Sequence, residues 1–242
     1  MGAINPVTVT STYVRAMRKV RDGAEKVGAV QWLDAHSDRK PVAHARSLLA
    51  IHDVEDMVAL GVPWWTYPAI EVIEAFLAGR KDARVLEFGS GASTLWLAQR
   101  CAELHSVEHH ADFAETVRGL LEQRPEAAER TTLHVVPAPP SDNPRLPSRK
   151  PIAHGLDFAD YVRVIDQAGG QFDLVVVDGR VREACLHASL DHVTDGGRIL
   201  MDDSQRKRYR EAMAQTGWAI RTYRGLSPAT PFVRDTSVLS RP

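Results

Sequence analysis

From residue 84 to residue 215 the chain alternates short apolar runs with amphipathic stretches, and no other feature constrains its fold as strongly. The run "VLEF" reads as a buried strand at 85–88. The series continues as helix 93–101, strand 104–108, helix 111–122, strand 132–136, helix 157–168, strand 173–177, helix 182–193, strand 197–201 and helix 204–215. Strands separated by helices pair in parallel, with helices covering both faces of the sheet. The C-terminal part breaks the pattern: "WAIRTYR" and "FVRDTSVLS", joined by "GLSPATP", are two strand-like runs with no helix between them. They predict a hairpin on one edge of an otherwise parallel sheet. The expected fold class is α/β: a doubly wound, mostly parallel seven-stranded sheet with an antiparallel C-terminal hairpin.

Ahead of this region the text is helical: "YVRAMRKVRDGAEKVGAVQWLDA", "VAHARSLLAIHDVEDMVAL" and "PAIEVIEAFLAG", with Pro68 at a first helical position and Gly79 as the stop. The division expected is a helical cap over 1–79 and a sheet domain over 80–242. A chain of 242 residues, 44% hydrophobic, fills one sizeable core. Cys101 and Cys185 sit in apolar helical patterns, which suits core packing in a reducing compartment. The N-terminal "MGAINPVTVTST" lacks a charged leader, and no run reaches the roughly 18 apolar residues that span a bilayer. The expected location is cytoplasmic, without a membrane partner. With 30 Lys and Arg against 31 Asp and Glu there is no global field to attract nucleic acid, and "RKRYR" at 206–210 reads as a solvated helix face. "PAPPSDNPRLPSRKPIAHG" at 137–155 is too rich in proline for regular structure and long enough to be a lid or a surface insertion.

The chemistry-bearing stretch is "VLEFGSGAST" at 85–94. Gly89 and Gly91 remove side chains that would block a ligand, and the helix that follows offers free N–H groups. A pyrophosphate or an uncharged or zwitterionic small molecule would fit there, and a plain strand-to-helix turn is the competing reading. The next strand ends at Glu108, where a carboxylate can accept both hydroxyls of a ribose. The two features together point to a nucleoside near the first crevice, and a carboxylate at the start of the helix "HADFAETV" is the competing reading of Glu108.

On these residues the sequence resembles the class I S-adenosylmethionine-dependent methyltransferases, whose fold is Rossmann-like. "VLEFGSGAST" is similar to their first motif, with an acid ahead of Gly-x-Gly, and "VEHH" to their second. Dinucleotide-binding oxidoreductases usually carry Gly-x-Gly-x-x-Gly, where this chain has Thr94 at the sixth position. The resemblance covers roughly 80–242 and implies that Glu87, Gly89 and Gly91 line the methionine part of the cofactor. It further implies that Glu108 holds the ribose, that His109 lies against the adenine, and that the N-terminal helices cover a small-molecule substrate.

Two later strands end in carboxylates: "FDLVVVDGR" at Asp178 and "GGRILMDDS" at Asp202 and Asp203. Neighbouring parallel strands bring those ends to one crevice. Three unpaired carboxylates repel, and a hard divalent cation such as magnesium is the simplest remedy. The arrangement resembles metal-dependent small-molecule O-methyltransferases, which implies Asp178, Asp202 and Asp203 as metal ligands and Asp178 as a catalytic group. A metal lowers the pKa of a bound hydroxyl. Where those enzymes carry a lysine base or a carboxylate, this chain has Val181 or Arg180.

His36, His44, His52, His109 and His154 are candidate bases, none singled out. Arg180 and Arg182 can grip an anionic substrate, and Trp64, Trp65 and Tyr67 can pack between cap and sheet or close over a ligand. The function expected is methylation of a small-molecule hydroxyl from S-adenosylmethionine. The alternatives are a metal-independent N- or macromolecule methyltransferase and a nicotinamide-dependent oxidoreductase.

Overall fold

The computed structural model describes residues 17, 19–50 and 53–242. Seven strands form one sheet: β1 (Arg84–Phe88), β2 (Glu103–Glu108), β3 (Thr131–Val135), β4 (Phe172–Val177), β5 (Val193–Met201), β6 (Ala219–Ser227) and β7 (Thr230–Ser240). Their spatial order is β3-β2-β1-β4-β5-β7-β6. β1 to β5 are parallel, and β7 runs antiparallel between β5 and β6. The winding reverses between β1 and β4, the point at which open α/β sheets bind their ligands.

Alternation along β1 explains the two cores. Val85 faces a cluster with Ile73 and Leu77 from the helix Tyr67–Ala78 and Leu95 and Leu97 from the helix Ala92–Ala98. Leu86 and Phe88 face a second cluster with Phe158, Tyr161 and Ile165. The last N-terminal helix is therefore built into one of the sheet's own cores.

Three expectations need revision. The single helical run read through "VAHARSLLAIHDVEDMVAL" is two helices, Lys40–Ser47 and Val54–Leu60. The second starts where the Asp53 carboxylate accepts the N–H groups of Glu55 and Asp56, a capping arrangement that begins a new helix. The hairpin is tighter than "GLSPATP" suggests, because the strands continue to Ser227 and from Thr230, whose hydroxyls bond across the turn. Gly225 lets β6 pass close to the helix Tyr67–Ala78: a side chain there would meet Pro68 Cδ at 3.0 Å. The helix expected at 204–215 begins at Lys207, since Arg206 is extended (φ -71, ψ 129) and Asp203 before it is left-handed (φ 54). Proline at the first turn also starts a helix at Pro125–Arg130 and a single 3₁₀ turn at Pro151–Ala153, neither of which was expected. No described helix is long and apolar enough to cross a membrane.

The turns after β1 and β4 touch through two glycines. Gly89 has φ +100, and a Cβ on it would lie 2.6 Å from Gly179 Cα. A Cβ on Gly179 would lie 2.1 Å from the Tyr161 hydroxyl and 3.0 Å from Gly89 N. That hydroxyl is buried without a partner of hydrogen-bonding geometry among the described residues. Gly179→Ala is expected to destabilise by about 1–3 kcal/mol through overpacking. Tyr161→Phe alone is expected to be neutral or stabilising by about 1 kcal/mol, since it removes an unsatisfied polar group. Denaturant unfolding of both variants and of the double variant, in which Tyr161→Phe returns part of the loss, checks the contact.

Candidate functional site

A crevice of about 600 Å³ opens at the carboxyl ends of β1, β2, β4 and β5. Gly89, Ser90, Gly91, Glu108 and His109 line one arm, and Asp178, Asp202 and Asp203 with several cationic side chains line the other. The sequence expectation that these elements meet is met in space, yet the residues act differently from what their order suggested.

Gly89 lines the crevice but is required by its backbone contact with Gly179 rather than by ligand access alone. Gly91 is extended, and a Cβ there would meet Trp64 at an ordinary 3.5 Å. Glu108 is buried at the end of β2. Its Oε1 accepts the backbone N–H groups of His109 and His110, both at 2.8 Å, and lies 2.7 Å from His109 Nδ1. Arg180 Nε donates to His109 Nε2 at 3.4 Å, which leaves Nδ1 as the nitrogen that donates to Glu108. A carboxylate held by three donors at a strand end is rigid, as a hydroxyl-binding group must be.

Glu87 is the clearest correction among the expected cofactor residues. It does not line the crevice: it is fully buried and accepts hydrogen bonds from Ser93, from Thr94 at 2.6 Å and from Ser106 at 2.7 Å. Thr94 in turn accepts the Gly91 N–H at 2.9 Å, so the carboxylate fixes the glycine turn from beneath. Burial outweighs the three hydroxyls and pushes its pKa up to about 7.

The three aspartates converge, but guanidinium groups already meet them. Arg182 donates to Asp178 Oδ1 at 2.6 Å and to the carbonyls of Asp178, Asp202 and Gly179 at 2.7, 2.6 and 3.1 Å. Its Nη1 also lies 3.8 Å from Asp202 Oδ2. Asp203 is paired with Arg206 at 2.5 Å and with Arg234 at 2.7 Å, and Thr236 donates to Asp202 at 2.8 Å. Arginine thus supplies the counter-charge that the sequence assigned to magnesium. Among the described residues no group of three or more His, Cys, Asp or Glu is arranged to hold a metal ion. A divalent cation among Asp178, Asp202 and Asp203 would have to displace these guanidinium contacts, so the donor set does not fit one. Burial and the neighbouring carboxylates push Asp178 up to about 6 and Asp202 up to about 7, against the opposing pull of Arg182. Asp203 stays below the ordinary range, because its three arginines outweigh its burial.

Of the five histidines considered as bases, His109 alone among the described residues lines the crevice; His52 lies outside the described residues. His36 bonds the Trp32 carbonyl, His44 faces the Tyr67 hydroxyl, and His154 is exposed. Trp64 reaches the crevice, whereas Trp65 is buried in the core edge-on to Trp96. The proline-rich stretch is strapped down by Asp157, which takes Arg145 Nε at 2.8 Å and the Leu146 N–H at 3.1 Å, and it delivers Lys150 to the crevice. Arg206 and Tyr209, read as part of a solvated face, line it too. Lys150 and Arg234 were missed because they come from the irregular stretch and from β7, and nothing local marks them.

The Glu87 pKa has a measurable sign. Its folded value lies above its unfolded value of 4.5, so its contribution to stability is full below about pH 4.5 and is lost as pH rises through 7. The shift corresponds to about 3 kcal/mol. Glu87→Gln should flatten this part of the stability profile between pH 4.5 and 8 in denaturant titrations. An unchanged slope would contradict the burial argument.

Residues 86–204 match the family model described as a methyltransferase domain. No curated protein sequence matches the chain. Among solved structures, the fold is similar to precorrin-8W decarboxylase from Methanobacterium thermoautotrophicum at 16% identity and a TM-score of 0.50, covering 72% of this chain and 88% of that one. It is also similar to a SAM-dependent O-methyltransferase from Thermotoga maritima at 14% identity and a TM-score of 0.51, covering 78% and 70%. At such identities the likeness establishes the fold, a Rossmann-like sheet. The family match over 86–204 covers just under half of the chain and describes a methyltransferase domain.

Proposed function

We propose that this protein transfers a methyl group from S-adenosylmethionine to a hydroxyl of a small molecule, with Asp178 as the base and without a metal. The observation that carries the reading is the division of one crevice into two arms, a rigid carboxylate at Glu108 on one side and carboxylates of raised pKa on the other. S-adenosylmethionine supplies a methyl group already activated by its sulfonium charge. What remains for the protein is alignment and a place for one proton.

Glu108 is suited to accept ribose hydroxyls, because two backbone N–H groups and His109 hold Oε1 in place. His109, held by Glu108 and Arg180, offers a flat face beside it. The glycine turn stands fixed from below by Glu87, which acts by position and not by contact. In the other arm Asp178 is anchored through Oδ1 by Arg182 and is more exposed than Asp202, with side-chain exposures of 20% and 9%. Poised near pH 6, it is ionised at neutral pH and could take the hydroxyl proton as the oxygen bonds to the methyl carbon and the methyl–sulfur bond breaks, its electron pair returning to sulfur to leave S-adenosylhomocysteine.

Transfer of a labelled methyl group to a panel of small hydroxylated acceptors in EDTA tests the reading. The expected kcat rises with pH, half-maximal near 6, and persists in EDTA. Asp178→Asn should lower kcat about 100-fold or more, whereas Glu108→Ala should act chiefly by raising the KM for S-adenosylmethionine. A strict requirement for magnesium, or a kcat flat from pH 5 to 8, would contradict it.

A further inference from the structure

A second cavity of about 300 Å³ opens beside the crevice and shares Lys150, Gly179, Arg180 and Tyr209 with it. Its remaining charged lining is Arg149, Arg208 and Glu183. Glu183 lies 3.4 Å from Arg208 Nε, so that pair is accounted for. No carboxylate stands within 4.0 Å of Arg149, Lys150 or Arg180 among the described residues, whereas Arg182, Arg206 and Arg234 in the adjoining crevice all have one. The chain as a whole carries a net charge of -1, so three uncompensated cations around one small cavity are not the general character of its surface.

The local backbone separates the two kinds of arginine. Val181 lies between Arg180 and Arg182 with φ 42, a conformation that is unfavourable for a β-branched residue. Across it, Arg182 turns to the aspartates and Arg180 lines both cavities. Strain of this kind is kept where the surroundings hold it in place and is concentrated at functional sites. Lys150 is held below the ordinary lysine range by partial desolvation and by the nearby Arg206, Arg180 and Arg182, with only Asp203 opposing. A crowded set of cations lining a concave surface is relieved by an oxyanion, and guanidinium and ammonium groups together suit phosphate or carboxylate.

We propose that this second cavity is an oxyanion subsite, with Lys150 and Arg180 as its ligands, and that the methyl acceptor is a small molecule carrying a phosphate or a carboxylate there. The subsite rests on the methyltransferase reading for the identity of its occupant as acceptor, but not for its affinity for an anion. Its size and the absence of any net positive field favour a small molecule over a nucleic-acid strand.

The test is calorimetric titration of inorganic phosphate, and separately of acetate, into the full chain with and without saturating S-adenosylhomocysteine. One anion per chain is expected in both states, and the tighter of the two identifies the natural group. Lys150→Ala should weaken it ten-fold or more and Lys150→Arg should restore most of the loss. Arg149→Ala, in the second cavity and not in the crevice, should leave S-adenosylhomocysteine affinity within two-fold. Phosphate binding with no S-adenosylhomocysteine binding would overturn the cofactor reading and leave the subsite standing. Lack of binding of either anion, binding indifferent to Lys150→Ala, or tighter binding of a short oligonucleotide than of any mononucleotide or phosphate would overturn the subsite.

Discussion

Arg182 reaches from the turn after β4 into the ends of two strands, and the rest of the crevice depends on it. Its guanidinium bonds the carbonyls of Asp178, Gly179 and Asp202 and the carboxylate of Asp178, so one side chain ties β4 to β5 and offsets the charge their ends bring together. Removing one partner from such a buried ion pair typically costs about 3–5 kcal/mol, mostly because a charge is left without compensation. Here the penalty would be shared by Asp178 and Asp202, whose pKa values are already raised by burial and by one another. The cluster is thus strongly held yet poised close to neutral pH, a combination that suits proton transfer better than cation binding.

The second support is Glu87. It sits beneath the glycine turn and gathers hydroxyls from Ser93, Thr94 and Ser106, thereby joining β1, the following helix and β2. With Gly89 pressed on Gly179 from the β4 side, the floor of the crevice is fixed from two directions. Glu108 and Asp178 can then be placed by backbone geometry, since each stands at or just beyond a strand end in a sheet whose register is set by apolar packing.

The series of strands, their parallel pairing and the crevice were legible because buried parallel strands leave continuous apolar runs, and because strand ends are where an open α/β sheet gathers its ligand-binding groups. Glu108 stands at the end of β2 and lines the crevice, as that ground leads one to expect. Glu87 does not line it, although period-two alternation sets it on the same face as Val85, under the helix Ala92–Ala98, and the hydroxyls of "AST" and "LHSVE" were there to receive it. The arginine network was illegible for a different reason. Arg206 and Arg234 meet on Asp203 from the helix start and from β7, contacts that only the closed sheet creates. Gly89 likewise reads as a ligand-clearing glycine until Gly179, far along the chain, is seen against it. Lys150 emerges from a stretch whose prolines hide its ordered path.

The most direct measurement is calorimetric binding of S-adenosylhomocysteine and, separately, of NAD to the purified chain, each repeated in EDTA and in magnesium and with Glu108→Ala. A carboxylate crevice neutralised by arginine should bind one S-adenosylhomocysteine per chain with the same affinity in EDTA and in magnesium, lose it in Glu108→Ala, and ignore NAD. Binding of NAD in place of S-adenosylhomocysteine, or an affinity that appears only with magnesium, would contradict both the cofactor and the role given to Arg182.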